Sequence, residues 1–180
     1  MTLQEFTRDI VPIIQAILTA VGLGSVLLLW WQIRLTWKWN KVDATFRSMD
    51  IIEFSRIESE ALLAAKKLGV NLTAPISEDD ARKIRQDYET YLKVKALVIF
   101  LDRQAVAFLA GYFDSSVVAN TYGQLISGYA KTLSNYIRVT RVELGDPEPY
   151  MDLQKAAEIL EKESAERIRK RGGDGIGKRL

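Results

Sequence analysis

Neither cysteine nor histidine occurs in the 180 residues of the chain. Their absence excludes disulfide bonds, thiolate and imidazole metal sites, and the Ser-His-Asp and Cys-His arrangements of nucleophilic enzymes. It also removes the commonest general base, so we expect a protein that is not an enzyme and has no catalytic residues, no metal and no cofactor. The formal net charge is only +2, with basic and acidic residues interleaved, and gives no overall signal for nucleic-acid binding.

Two short patterns resemble functional motifs but have simpler explanations. Residues 172–178 match the spacing of a phosphate-binding loop, G-x-x-x-x-G-K, yet Arg179 replaces the required Ser or Thr and no strand is predicted before it. The carboxylates of Glu58 and Glu60 fall on a predicted solvated helix face, and those of residues 78–80 fall at a predicted helix start. We assign no nucleotide or metal site to either pattern.

Charged residues are absent from residues 11–33, which form the longest apolar run in the chain. At about 1.5 Å per helical residue, this run crosses a hydrocarbon core of about 30 Å. A cleaved signal peptide has a basic start and a small-residue cleavage site, whereas this run follows Glu5, Arg8 and Asp9 and ends near Trp30 and Trp31. The sequence therefore predicts a retained transmembrane helix.

The residues that flank this run predict its orientation. Basic residues are frequent after it and rare before it, and such flanks stay in the cytoplasm. We expect a bacterial inner (cell) membrane protein, with residues 1–10 outside and the remainder of the chain in the cytoplasm. Tryptophan and basic side chains favour the headgroup level of the lipid, so we predict a membrane interface. It comprises Trp30, Trp31, Arg34, Trp37, Lys38 and Trp39.

Two faces of the predicted spanning helix indicate more than anchoring. Ala16, Ala20 and Gly24 recur every fourth residue, and small residues at this spacing let helices approach closely in lipid. We therefore expect a homo-oligomer. About a third of a turn away lies a second face with a polar amide that is costly to expose to lipid, and in an oligomer this face would line a narrow pore. It carries Gln15, Thr19 and Gly22.

Helical periodicity continues after the membrane, and strand-like alternation is absent from the sequence. We predict an all-α protein in which the spanning helix precedes a cytoplasmic bundle of about four helices. Gly69, Gly111 and Gly145 end three of these helices, while Ser77 and either Asp114 or Ser115 begin two of them. The predicted segments are a helical domain at 34–145, a C-terminal amphipathic helix at 146–171 and a disordered tail at 172–180.

Basic side chains on the second and third cytoplasmic helices are candidate ligand-binding residues. They could contact phosphates, with Tyr129 and Tyr136 as stacking surfaces for unpaired bases. The alternatives are that these cations form a solvated face and that most tyrosines belong to the core; the cations next to the span could instead contact anionic lipid. The candidate ligand-binding residues are Arg82, Arg85, Lys131, Asn135, Arg138 and Arg141.

The chain resembles a large family of bacterial single-span membrane proteins that carry a helical cytoplasmic domain. The resemblance covers about residues 10–142 and is carried by a pattern rather than by a catalytic motif. The pattern comprises WxxRLxWxW at 31–39, Ala-Thr-Phe-Arg at 44–47, Phe-Leu-Asp at 100–102 and Leu-Ser-Asn-Tyr at 133–136.

Members of that family resemble effectors of phage-defence operons, and the closest functional model is the membrane channel effector of the Hailong antiphage defence system. The resemblance implies a homotetrameric ion channel whose cytoplasmic domain binds single-stranded DNA oligomers made by a partner nucleotidyltransferase. It further implies that release of this ligand during infection opens the pore and collapses the membrane potential.

A second hypothesis remains open at this stage. The chain could be a membrane-tethered scaffold or regulator that recruits a cytoplasmic protein through its amphipathic C-terminal helix and conducts no ions. A scaffold would still function after its spanning segment was exchanged for an unrelated anchor, whereas a channel would not.

Overall fold

The computed structural model describes the backbone of residues 3–174 and the side chains of residues 11–166 and 169. All regular structure in this part of the chain is helical, which confirms the predicted all-α class. Of the predicted tail, residues 172–174 end the last helix and residues 175–180 lie outside the described part, as do residues 1 and 2. The helices are α1 (Leu3–Ser48), α2 (Ile51–Lys67), α3 (Glu78–Gln86), α4 (Tyr88–Leu109), α5 (Ser115–Thr121), α6 (Gly123–Thr132), α7 (Ser134–Leu144) and α8 (Met151–Asp174).

The chain divides into two compact units, Met1–Asn40 and Lys41–Leu180. In the first unit, α1 exposes its large apolar side chains along its whole described length, with Leu27 66% and Trp37 67% accessible. This helix is long and apolar enough to cross a membrane, and it is the one such helix among the described residues. Exposure of so many apolar side chains is typical of a surface that water does not cover in the assembled protein.

The second unit contains more helices than the predicted four-helix bundle, because aspartates interrupt two of the predicted helices. Asp50 has an extended backbone, and its carboxylate accepts hydrogen bonds from the N–H groups of Ile52 and Glu53, so α2 begins separately from α1. Asp87 caps α4 through the N–H of Thr90 in the same way and separates α4 from α3. A capping carboxylate satisfies N–H groups at a helix start, which makes a break within a helical sequence energetically acceptable.

The predicted third helix is also divided, into α5, α6 and α7. Tyr122 and Leu133 leave the helical conformation at the two junctions, but each carbonyl accepts a hydrogen bond from the N–H four residues later. These junctions are therefore bends in a nearly continuous helical path, and hydrophobic periodicity alone does not reveal them.

Several predicted helix ends are confirmed. Ser77 caps α3 through the N–H of Asp80, and Asp114 caps α5. Gly69, Gly111 and Gly145 all have positive φ angles at the C-terminal ends of helices, where a residue without Cβ avoids strain.

The core of the second unit forms around α4, which packs against α2, α3 and α8. Leu97 and Leu101 of α4 are fully buried, as are Leu153 and Leu160 of α8. At Gly123, the first residue of α6, an added Cβ would contact Leu160 at 3.8 Å, so α6 and α8 pack closely there. The apolar face of the first half of α8 therefore belongs to the core of this unit.

The last turn of α1 lies in the second unit and is hydrogen-bonded to it. Thr45 is fully buried, and its hydroxyl oxygen accepts a hydrogen bond from the Asp114 N–H at 3.1 Å. The same hydroxyl donates to the Lys41 carbonyl at 2.7 Å. Three residues later, the Ser48 carbonyl accepts a hydrogen bond from the Gln104 amide at 3.0 Å. These bonds join the end of α1 to α4 and to the turn before α5.

The Thr45 contact can be tested by replacing Thr45 with valine, which keeps the side-chain shape and removes the acceptor. Because the Asp114 N–H then loses its partner in a partly buried position, we expect the free energy of unfolding to fall by about 1–3 kcal/mol. Thr36→Val is the matched control, since Thr36 makes the same hydroxyl-to-carbonyl bond within α1 at an exposed position. Denaturation of both detergent-solubilised variants, followed by circular dichroism, measures the difference; equal stability would contradict the prediction.

Candidate functional site

The small-residue face of α1 has no structural explanation within the described residues. A Cβ added to Gly24 of this face, or to Gly22 of the predicted pore face, would meet nothing within 4 Å, so neither glycine is required for packing inside the described part of this chain. A solitary helix would accept larger side chains at these positions without steric cost. A requirement for small residues would therefore arise from contact with another molecule.

The predicted pore face of α1 is equally accessible. The Thr19 hydroxyl donates to the Gln15 backbone carbonyl at 2.8 Å, so its proton is already used and its oxygen can act only as an acceptor towards other groups. The Gln15 side chain is exposed and makes no hydrogen bond within the described residues. An unpaired amide on an apolar helix favours an aqueous or polar neighbour over lipid.

The predicted interface residues on α1 are exposed around the helix. The four tryptophans each keep more than half of their surface accessible, and the Arg34 guanidinium lies over the Trp30 ring at 5.3 Å. A cation over an indole ring is a favourable contact that also shields apolar surface. The remaining predicted interface residue, Lys38, is exposed as well.

A groove of about 210 Å³ between α3 and α7 brings together two of the predicted ligand-binding residues, Arg82 and Arg138. Glu78 lies between them: its carboxylate pairs with Arg138 and, at 3.4 Å, with Arg82. Arg82 also approaches Asp79 at 3.5 Å. The two guanidinium groups thus converge on one carboxylate, a geometry that equally suits a phosphate group.

Asn135 and Arg85 do not line this groove, but each contacts a residue that does. The Asn135 side chain donates to the Ile76 carbonyl at 2.7 Å and accepts from Arg138 at 3.1 Å. Arg85 pairs with Glu143 at 2.6 Å. Burial alone would lower the pKa of the Arg85 guanidinium, but the hydrogen bond and charge of Glu143 raise it. Asn135 therefore helps to orient Arg138, and Arg85 remains a charged group held by its own carboxylate.

The other predicted ligand-binding residues lie elsewhere in the second unit. Lys131 pairs with Glu161 of α8, and Arg141 donates to the Pro149 carbonyl at 2.9 Å. One Arg141 nitrogen is buried without a hydrogen-bond partner in the described part of the chain. The six predicted residues thus do not form one site.

The tyrosines proposed as stacking surfaces are largely packed inside the unit, as the alternative interpretation expected. Tyr136 is fully buried, and burial raises the pKa of its phenol above the usual range. Tyr129 is partly buried, and its hydroxyl hydrogen-bonds to Glu58. The buried Tyr136 ring therefore has no face open to an unpaired base.

Sequence reasoning missed the acidic residues that occupy the groove. The spacing of Glu78 and Arg82, four residues apart, could have indicated one of the ion pairs. The pairs with Arg138 and between Arg85 and Glu143 join α3 to α7 and follow from tertiary structure alone. Among the described residues, no group of three or more aspartate or glutamate side chains is arranged to hold a metal ion.

Comparisons with protein-family models, with curated proteins and with solved structures found no match to the chain.

Replacing Glu78 with glutamine tests whether the groove accepts an anion. The change frees the guanidinium groups of Arg82 and Arg138, so a fluorescently labelled oligothymidylate should bind the detergent-solubilised full chain about three- to tenfold more tightly in anisotropy titrations at low salt. Glu60→Gln is the control, because it removes the same charge from an exposed ion pair with Arg56 on α2. If the two variants bind the oligonucleotide equally, the groove is not the anion site.

Proposed function

We propose that this protein is an oligomeric membrane effector, a ligand-gated ion channel of a bacterial antiphage defence system. In this proposal several copies of α1 cross the cell membrane together, and an anionic ligand bound to the second unit controls the path between them. The observation that carries it is the exposed apolar stretch of α1, which bears a small-residue face and a separate polar face.

Oligomerisation is supported by the space around the small-residue face. Ala16, Ala20 and Gly24 leave a shallow strip along the helix, and the position of Gly24 has no neighbour within 4 Å in the described residues. In lipid, close backbone approach and van der Waals contact drive helix association, because the hydrophobic effect is already satisfied. A second helix in this strip would explain why the residues are small.

Ion conduction is supported by the second face. When the small-residue faces pack, Gln15 and Thr19 turn towards the interior of the assembly, where the unpaired amide avoids lipid. With the Thr19 proton bonded within the helix, its hydroxyl oxygen and the oxygen of the Gln15 side-chain amide can replace part of the water around a passing cation. The flanks orient the pore with its N-terminal end outside and the second unit in the cytoplasm.

Ligand control is supported by the groove of Glu78, Arg82 and Arg138. A phosphate has the same preference for paired guanidinium groups as the carboxylate it would displace. The groove connects to the pore helix through α4, since α3 packs against α4 and Gln104 of α4 bonds to the last turn of α1. A shift of α3 on ligand binding or release can therefore change the position of that turn.

The identity of the ligand and the biological setting rest on the resemblance to phage-defence effectors. It favours a single-stranded DNA oligomer made by a partner nucleotidyltransferase, a tetrameric assembly, and opening when the ligand is released. The scaffold alternative has less support, because the first half of α8, its proposed docking helix, already buries Leu153 and Leu160 in the core.

The experiment that tests the proposal is a conductance measurement on the full chain in planar bilayers, with and without oligothymidylate. Wild type should conduct in at least one condition, and Gly24→Leu should abolish both conductance and assembly, because the larger side chain blocks close helix approach. Ser25→Leu is the matched control: it places the same side chain one residue along, about 100° around α1 and off the small-residue face. Absence of current from wild type in every condition, or equal loss in both variants, would contradict the proposal.

A further inference from the structure

An apolar cleft of about 230 Å³ opens on the surface of the second unit between α2, α4 and the start of α6. Its walls include Ile51, Phe54, Phe100, Tyr122 and Leu125. The Phe54 and Phe100 rings lie 5.7 Å apart and form its floor with the buried Leu101. A cleft of this size accommodates one aliphatic side chain.

An aliphatic side chain of matching size projects beside the cleft. Ile52 is 82% accessible, the highest value among the exposed large hydrophobic residues described, and it follows Ile51, which is 63% accessible. Burial of an isoleucine side chain contributes about 1.5–3 kcal/mol relative to exposure. The first turn of α2 thus presents an exposed apolar side chain, Ile52 (the projection), next to the exposed apolar cleft (the recess).

The charges beside these two features are complementary. Glu53 is exposed directly after Ile52, and Arg103 is exposed on the same side of α4 as Phe100, three residues earlier. Neither makes an ion pair within the part of the chain that the structure describes. A copy of the chain that inserted Ile52 into a neighbour's cleft would bring its acidic residue to the neighbour's basic one.

We propose that a second copy of this chain occupies the cleft, with Ile52 inserted between Phe100 and Leu125 of the neighbouring copy and Glu53 paired with its Arg103. This inference rests on the proposed assembly in a membrane. Because the projection and the recess adjoin on one surface, the contact is reciprocal: two copies related by a two-fold axis each insert Ile52 into the cleft of the other.

The absence of natural cysteine provides a clean test of this contact. Glu53→Cys and Arg103→Cys are introduced into separate, differently tagged copies, which are co-expressed and oxidised in native membranes. We expect a disulfide-linked heterodimer at about tenfold the level obtained when Arg103→Cys is paired with Glu158→Cys, which places the thiol on an exposed site of α8. Each single variant alone should give little homodimer, because the contact pairs residue 53 of one copy with residue 103 of the other and not with its own counterpart.

An amine-reactive cross-linker applied to the same membranes separates failure of this contact from failure of the proposed function. If that reagent captures oligomers while the 53–103 disulfide does not exceed its control, the proposed contact is overturned and the channel proposal stands. If it captures monomer alone, the proposed assembly fails, and with it the contact. Ile52→Asp should reduce captured oligomer about fivefold or more while the circular dichroism spectrum stays unchanged; unchanged capture would also overturn the contact.

Discussion

An uninterrupted helix that exposes leucine, isoleucine and tryptophan on every side needs surroundings other than water. The proposed assembly of this protein depends on this constraint. Each exposed aliphatic side chain of α1 carries a hydration cost of about 1.5–3 kcal/mol that lipid removes. Once the helix is in lipid, hydrophobicity no longer distinguishes its faces, so small residues and unpaired polar groups decide which faces meet protein. In lipid, the Ala16–Ala20–Gly24 strip and the Gln15 amide therefore select the faces of α1 that contact protein. In a soluble helix they would not have this effect.

Polar contacts hold the last turn of α1, which lies within the second unit. Thr45 and Ser48 occupy the last turn of α1, and each bonds to a group on another element. Because a hydrogen bond has a narrow range of favourable distances and angles, these bonds fix the last turn of α1 against α4 and the turn before α5.

The sequence predicted the helical class, the apolar span and the helix ends that depend on one residue, such as the Ser77 and Asp114 caps. It did not predict the breaks at Asp50 and Asp87, although aspartate is a common cap, because apolar periodicity continued across both positions. The ion pairs of Glu78 with Arg138 and of Arg85 with Glu143 were also beyond sequence reasoning, since they join residues about 60 positions apart. Reasoning from one helix at a time predicted a basic face. The structure instead has a groove in which most of the charged side chains already form ion pairs.

The claim that α1 copies surround a water-filled path is tested most directly by thiol accessibility in the cysteine-free chain. Thr19→Cys and Ile17→Cys are each recorded in a bilayer while a charged, water-soluble thiol reagent is added. We expect rapid block of the current through Thr19→Cys and no change through Ile17→Cys, because two residues along an α-helix Ile17 lies on nearly the opposite side from Thr19. Equal modification of both variants, or a current that the reagent never affects at Thr19→Cys, would contradict it.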